Sequence, residues 1–157
     1  MMAKNEKAAG RKVAASNRRA RRNYNILDTF ECGIVLTGSE VKSLRAGQVQ
    51  LKDAYGDVRG TEIWLENLHI APYSFARDGG HDPERSRKLL LHRREIERLI
   101  GKVNEAGLAL VPLSIYFTHG LAKVELALAR GRTTYDKRQA IKEREMQREM
   151  DRARRRP

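Results

Sequence analysis

The order of elements in this sequence predicts a mainly β fold: a small closed antiparallel OB-like barrel with two to three helices. Three observations carry that reading. About five apolar, β-branched runs are separated by glycine-bearing turns. A short helical pattern follows the first run, and a longer one precedes the last two. Those last two runs alternate apolar and polar residues, as the strands of a hairpin do.

Residues 23–37 read as a long first strand, with Ile26, Phe30, Ile34, Val35 and Leu36 and a bulge expected near Gly33. Thr37, Gly38, Ser39 and Glu40 form a capping-box pattern, in which the Thr37 hydroxyl accepts from the Glu40 amide and Glu40 reaches back. A short helix through Val41 and Leu44 then ends at Gly47. Residues 51–58 read as a second strand, Gly60 as a turn and residues 62–71 as a third strand, which Pro72 stops. Residues 74–87, rich in Gly, Asp and Arg, read as a loop. In residues 93–106, Ile96, Leu99, Ile100 and Val103 fall on one helical face, and Gly107 closes the helix. Residues 108–119 and 121–129 form the hairpin around Gly120.

Charge divides the chain into three parts. Residues 1–22 hold eight Lys/Arg against Glu6, a net of +7. Residues 130–157 hold eleven Lys/Arg against five acids, a net of +6. Residues 23–129 hold thirteen bases and fourteen acids, a net of −1. The expected organisation is a flexible basic N-terminal arm (1–22), an RNA-binding barrel (23–129) and a basic C-terminal tail (130–157). Two arms of one sign flanking a neutral body point to a polyanionic partner, because basic arms release counterions condensed on phosphates. The plainer alternative is a pair of solubilising tails. The arm has too little apolar surface to order itself. The tail has high helix propensity and thin apolar content (Ile141, Met146, Met150), so it is expected to become helical when a partner orders it.

Several function classes find no support. The lone Cys32 excludes an internal disulfide and fits a reducing cytosol, where it reads as a small apolar filler. The basic start lacks the apolar stretch of a secretory signal, and the longest apolar run, residues 108–113, is too short to cross a bilayer. The phosphate-loop, dinucleotide, C-x-x-C and H-E-x-x-H motifs are absent. Asp78, His81 and Asp82 could ligate a metal if their loop curled, but Asp- and Gly-rich loops are ordinary turn chemistry. Asp53 and Asp57 share a strand face that simply meets water. Tyr24, Trp64, Tyr116 and Tyr135 are available to stack on bases, with Trp64 read as core and Tyr116 as either stacker or wall. Arg85, Arg87, Lys88, Arg93 and Arg94 gather cations around a short apolar strand, and His92 reads as a weak N-cap.

Four strings are specific enough to carry a family resemblance. They are ECGIVLTGSEVKSLRAG at 31–47, HDPERSRKLLLHRRE at 81–95, AKVELALARG at 122–131 and YDKR at 135–138. In this order, without large gaps, they resemble the bacterial SsrA-binding proteins, also called small protein B. The resemblance implies a cytoplasmic, non-enzymatic RNA-binding protein with an OB-type barrel and no cofactor. It implies binding to the transfer-RNA-like domain of transfer-messenger RNA (tmRNA), and delivery of that RNA to stalled ribosomes for trans-translation. The implied partners are that RNA and the small ribosomal subunit with its RNA. Alanyl-tRNA synthetase and elongation factor Tu are met indirectly through the RNA, and no membrane is involved. The family's RNA contacts fall on Asn17, Arg19, Glu31, Leu90, His92 and Lys123. Tyr135, Asp136, Lys137 and Arg138 match its decoding-centre motif. Tyr135 and Arg22 stand where the family often has His, and Ser39 replaces a more usual Thr or Trp.

Overall fold

A computed structural model describes residues 11–73, 81–104, 107–131 and 134–155. Nine strands are placed among them: β1 (Lys12–Ser16), β2 (Tyr24–Ile34), β3 (Val49–Gln50), β4 (Tyr55–Arg59), β5 (Glu62–Glu66), β6 (His69–Ile70), β7 (Arg87–Leu90), β8 (Leu108–Thr118) and β9 (Leu121–Gly131). Four helices accompany them in the same residues: α1 (Arg18–Asn23), α2 (Gly38–Arg45), α3 (Arg93–Val103) and α4 (Thr134–Arg155). The fold is mainly β, as expected.

The sheet runs β1-β8-β4-β5-β7-β2-β9, and β9 pairs back onto β8. Six strands therefore form a closed ring, with β1 added outside on β8. Every pairing is antiparallel. Alternation sends one face of each ring strand inward. Phe30, Cys32, Ile63, Leu65, Leu89, Leu110, Ile115, Val124 and Leu126 are all buried there. Leu99 of α3 and Leu44 of α2 belong to the same core. The ring closes at a tight crossing, where Gly56 of β4 faces Leu110 of β8. A Cβ at position 56 would lie 2.7 Å from the Leu110 Cβ, so only glycine lets the two backbones meet.

The hairpin of β8 and β9 and the capping box match the sequence reading, and the helix expected over 93–106 is present but ends at Val103. The Thr37 amide donates to Glu40 Oε1 at 2.8 Å, and the Thr37 Oγ1 accepts from the Glu40 amide at 3.4 Å. Four expectations need correction. The first strand bulges between Ile26 and Asp28, not near Gly33, and it ends at Ile34. The third expected strand breaks at Asn67, whose φ of 57° reverses the pleat. Its first half, β5, stays in the ring, and its second half, β6, pairs with β3 in a separate two-stranded sheet. The end of the expected loop at 74–87 leads into a ring strand, β7. Finally, residues 12–23 are no loose arm. β1 pairs with β8, and α1 lays Ala20 on a second small core of Val111, Leu113, Ala127 and Ala129.

Residues 134–155 form a 22-residue helix in the chain alone, where the sequence reading reserves helicity for the bound state. Ile141, Met146 and Met150 along it are exposed, so at those positions local propensity rather than packing supports it, while the helix also meets α1. No helix among the described residues is long and apolar enough to cross a membrane.

Candidate nucleic-acid interface

Strand alternation puts one set of β2, β8 and β9 side chains on the outside of the ring. Glu31 and Gly33 of β2, Lys123 and Glu125 of β9, and Ser114 and Tyr116 of β8 fall on this face. The register ties them together: Gly33 lies opposite both Leu90 of β7 and Lys123, while Glu31 lies opposite Glu125. Lys123 in turn faces Tyr116, and Glu125 faces Ser114. Three of the expected RNA contacts, Glu31, Leu90 and Lys123, thus gather around Gly33. An added Cβ at Gly33 would come within 3.3 Å of the Leu90 Cβ, so the missing side chain leaves room for Leu90 there. Leu90 is half exposed despite being apolar.

His92 follows two residues beyond β7, as the N-cap residue of α3. Its backbone amide donates to Glu95 Oε1 at 3.3 Å, and its side chain makes no capping hydrogen bond. The imidazole is exposed at the edge of the same patch.

Asn17 has a different position from the other expected contacts. It is 7% exposed, and both ends of its amide are engaged. Its Oδ1 accepts from the Ala20 amide at 3.1 Å and so caps α1. Its Nδ2 donates to the carbonyls of Pro112 and Leu51, at 3.1 and 3.3 Å. Asn17 therefore fastens α1 to the ring. That helix then projects Arg18, Arg19, Arg21 and Arg22, all exposed. Two clefts flank α1. One, of about 310 Å³, is lined by Arg11, Arg18, Arg21, Ser114, Tyr116 and Glu125. The other, of about 630 Å³, holds Arg19, Lys52, Tyr24 and Tyr55.

The cations around residue 85 divide between two roles. Arg87 has no exposed side-chain surface and its Nε donates to Glu40 Oε2. Its Nη1 and Nη2 donate to the carbonyls of Leu68 and Pro83, at 2.6 and 3.1 Å. Arg85 donates to Glu40 Oε1 at 2.6 Å. Both are structural. Lys88 pairs with Glu62 at 3.3 Å on the surface, and Arg93 and Arg94 face solvent. Burial pushes the Glu40 carboxyl upward. Hydrogen bonds from Arg85, the Thr37 amide and Arg87 outweigh burial and hold its pKa below the ordinary value.

In the candidate metal set, Asp78 lies outside the described residues. The His81 Nε2 donates to the Ile70 carbonyl at 2.9 Å, and its Nδ1 faces the Ser39 Oγ at 2.9 Å. His81 thus ties the start of its segment to α2 and β6. Burial, followed by the charges of Glu95 and Glu31, pushes the Cys32 thiol up to about 12. It is a protonated core residue at neutral pH, not a nucleophile.

The patch has the composition that RNA recognition needs. Arginines and Lys123 suit phosphates, and half-exposed Leu90 suits a sugar or base face. Glu31, with a side chain 46% exposed, suits a donor on a base edge or a ribose hydroxyl. Tyr116, only 1% exposed, is wall rather than stacker. Sequence reasoning missed the ordered α1, although Asn17 before an Arg/Ala run is an N-cap signal. It also missed Arg11 and the pairing of Tyr116 with Glu31, which no local pattern announces. Tyr135, Asp136, Lys137 and Arg138 lie in the first turns of α4, well separated in sequence from the patch.

Comparison with known proteins places the whole chain among relatives. The family model described as SmpB protein matches residues 14–156. An SsrA-binding protein of Acidothermus cellulolyticus is 59% identical over 145 residues, covering 92% of this chain and 91% of the relative. One from Thermobifida fusca is 56% identical over 153 residues, covering 98% and 96%. A chain in the solved structure "tmRNA-SmpB: a journey to the center of the bacterial ribosome" is 51% identical with a TM-score of 0.66, covering 81% of this chain and 93% of its own.

Proposed function

The chain belongs to the SmpB protein family, and on that footing we propose that it is an RNA-binding adaptor of trans-translation. It binds the transfer-RNA-like domain of tmRNA and delivers that RNA to stalled ribosomes, so that incomplete proteins are tagged for proteolysis. The observation that carries this reading is the gathering of Glu31, Leu90 and Lys123 around Gly33, with an arginine-rich helix packed farther along the same strands. The solved tmRNA–SmpB structure, similar over 81% of the chain, supports the partners: tmRNA and the ribosome.

Within this reading the ring is an OB-type barrel, supported by its six-strand closure with α3 between β7 and β8. Glu31, Leu90, His92 and Lys123 contact the RNA directly, as does Arg19 from α1. Asn17 acts through α1, since its amide is fully used inside the protein. Tyr135, Asp136, Lys137 and Arg138 contact the decoding centre, and the basic helix beyond them follows ribosomal RNA. The adaptor works in the cytoplasm, where the ribosomes are, and does no bond-making chemistry itself.

The test separates body from tail. β9 extends to Gly131, which pairs with Tyr24, so a chain ending at Gly131 keeps the ring whole. That chain should bind the transfer-RNA-like domain with affinity reduced only by its lost charge, yet fail to support tagging on stalled ribosomes. Tagging at the full rate would remove the role given to 135–138. Failure to bind the domain at all would remove the role given to the ring.

A further inference from the structure

Tyr116 lies on the outer face of β8, yet its ring is buried. Its cover comes from the segment before β1. The pairing of Lys12 with Phe117 and Val13 with Tyr116 carries Arg11 across the ring, with the guanidinium 4.4 Å from the ring centroid. The Tyr116 hydroxyl donates to Glu31 Oε2 at 2.5 Å. Arg11 Nη2 approaches the same oxygen at 3.4 Å. Among the described residues no partner engages Glu31 Oε1. One carboxylate oxygen is therefore fixed from below and the other is left facing outward, on a side chain nearly half exposed.

A glutamate on a strand surface ordinarily samples several rotamers and loses that freedom when it binds. Here the freedom is already removed. A buried phenol and a stacked guanidinium hold the carboxylate before any partner arrives, which reduces the ordering cost of recognition. Burial and the adjacent Glu31 push the Tyr116 pKa upward, so the phenol stays a donor across the physiological range. A fixed carboxylate among cations also discriminates. It accepts from a base N–H or a ribose hydroxyl, and it repels a phosphate placed there in a wrong register.

We propose that Tyr116 and Arg11 are positioning residues for RNA recognition, holding Glu31 so that its Oε1 meets a hydrogen-bond donor on the RNA. The proposal rests on the reading of Glu31 as an RNA contact. It gives part of the basic N-terminal segment a task that counterion release does not describe.

The experiment measures binding of the isolated transfer-RNA-like domain to the full chain at several salt concentrations, for wild type, Tyr116→Phe, Glu31→Ala and the double variant. Tyr116→Phe should bind roughly five- to tenfold more weakly, the loss expected for one ordinary hydrogen bond. Its salt slope should match wild type, because no cation is removed. Its thermal midpoint should hold, because the carboxylate that loses the hydroxyl is itself nearly half exposed to water and keeps Arg11. The double variant should bind as Glu31→Ala does, since the two side chains act as one unit. Wild-type affinity in Tyr116→Phe, with Glu31→Ala weakened, overturns the positioning role and leaves the Glu31 contact standing. Additive losses in the double variant overturn it too, placing Tyr116 in some other interaction. Wild-type affinity in Glu31→Ala removes the Glu31 contact itself, and the proposal with it.

Discussion

Glu40 has no exposed side-chain surface, and it holds three parts of the chain together. It caps α2 through the Thr37 amide and receives Arg87 from β7 and Arg85 from the segment just before that strand. Removing one member of a buried ion pair strands the other charge in a low-dielectric interior. Glu40→Ala should therefore cost about 3–5 kcal/mol, read from urea unfolding at neutral pH. The same pair sets a pH dependence. Because the carboxyl's folded pKa lies below the ordinary 4.5, its contribution is present above that value and is lost as pH falls below it. In Glu40→Ala, the fall in stability below about pH 4.5 should be shallower than in wild type. The capping half of this arrangement was legible in the sequence, because Thr37 and Glu40 stand three residues apart in a known pattern. The ion-pair half was not. Arg85 and Arg87 read as cations for RNA, since nothing local shows that a carboxylate 45 and 47 residues away will engage them.

At the scale of elements, the segment before Tyr24 is the instructive case. By composition, residues 1–22 are a polycationic tail, and no apolar periodicity argues otherwise. Yet β1 joins the sheet, and α1 is fixed by the three hydrogen bonds of the Asn17 side chain. Small residues make this possible: Ala20 fits against Ala127 and Ala129, and its burial needs no large hydrophobe. A chain beginning at Tyr24 should consequently unfold at lower urea than the full chain, by circular dichroism, and not merely bind RNA more weakly. An unchanged midpoint would show that β1 and α1 add nothing to the fold. The hairpin of β8 and β9 and the helix α3 were the easiest elements to foresee, because each satisfies its own periodicity over about ten residues. β5 and β6 were merged into one strand because Asn67 tolerates a left-handed backbone without being glycine.

For the whole molecule, the net charge of +12 concentrated at the ends sets how RNA binding responds to salt. With about eight phosphates engaged, the log–log slope of affinity against salt should be roughly −6 to −7. Filter binding across a salt series measures it, and ordinary transfer RNA and duplex DNA as competitors report the share that is specific. A slope near −2 would mean that the basic ends stay off the RNA. The sequence by itself determined the class of partner, the mainly β character, the polar tail and the family, because net charge, strand alternation and long ordered motifs are all properties of linear order. Only the tertiary structure decided which cations are left to meet RNA and which are engaged by Glu40. It alone showed that Gly33 draws Glu31, Leu90 and Lys123 together, and that Tyr116 and Arg11 hold Glu31 from beneath. These relations join residues up to 105 positions apart, from Arg11 to Tyr116. They depend on which strands become neighbours when the ring closes, and closure is a property of the packed chain rather than of any one segment.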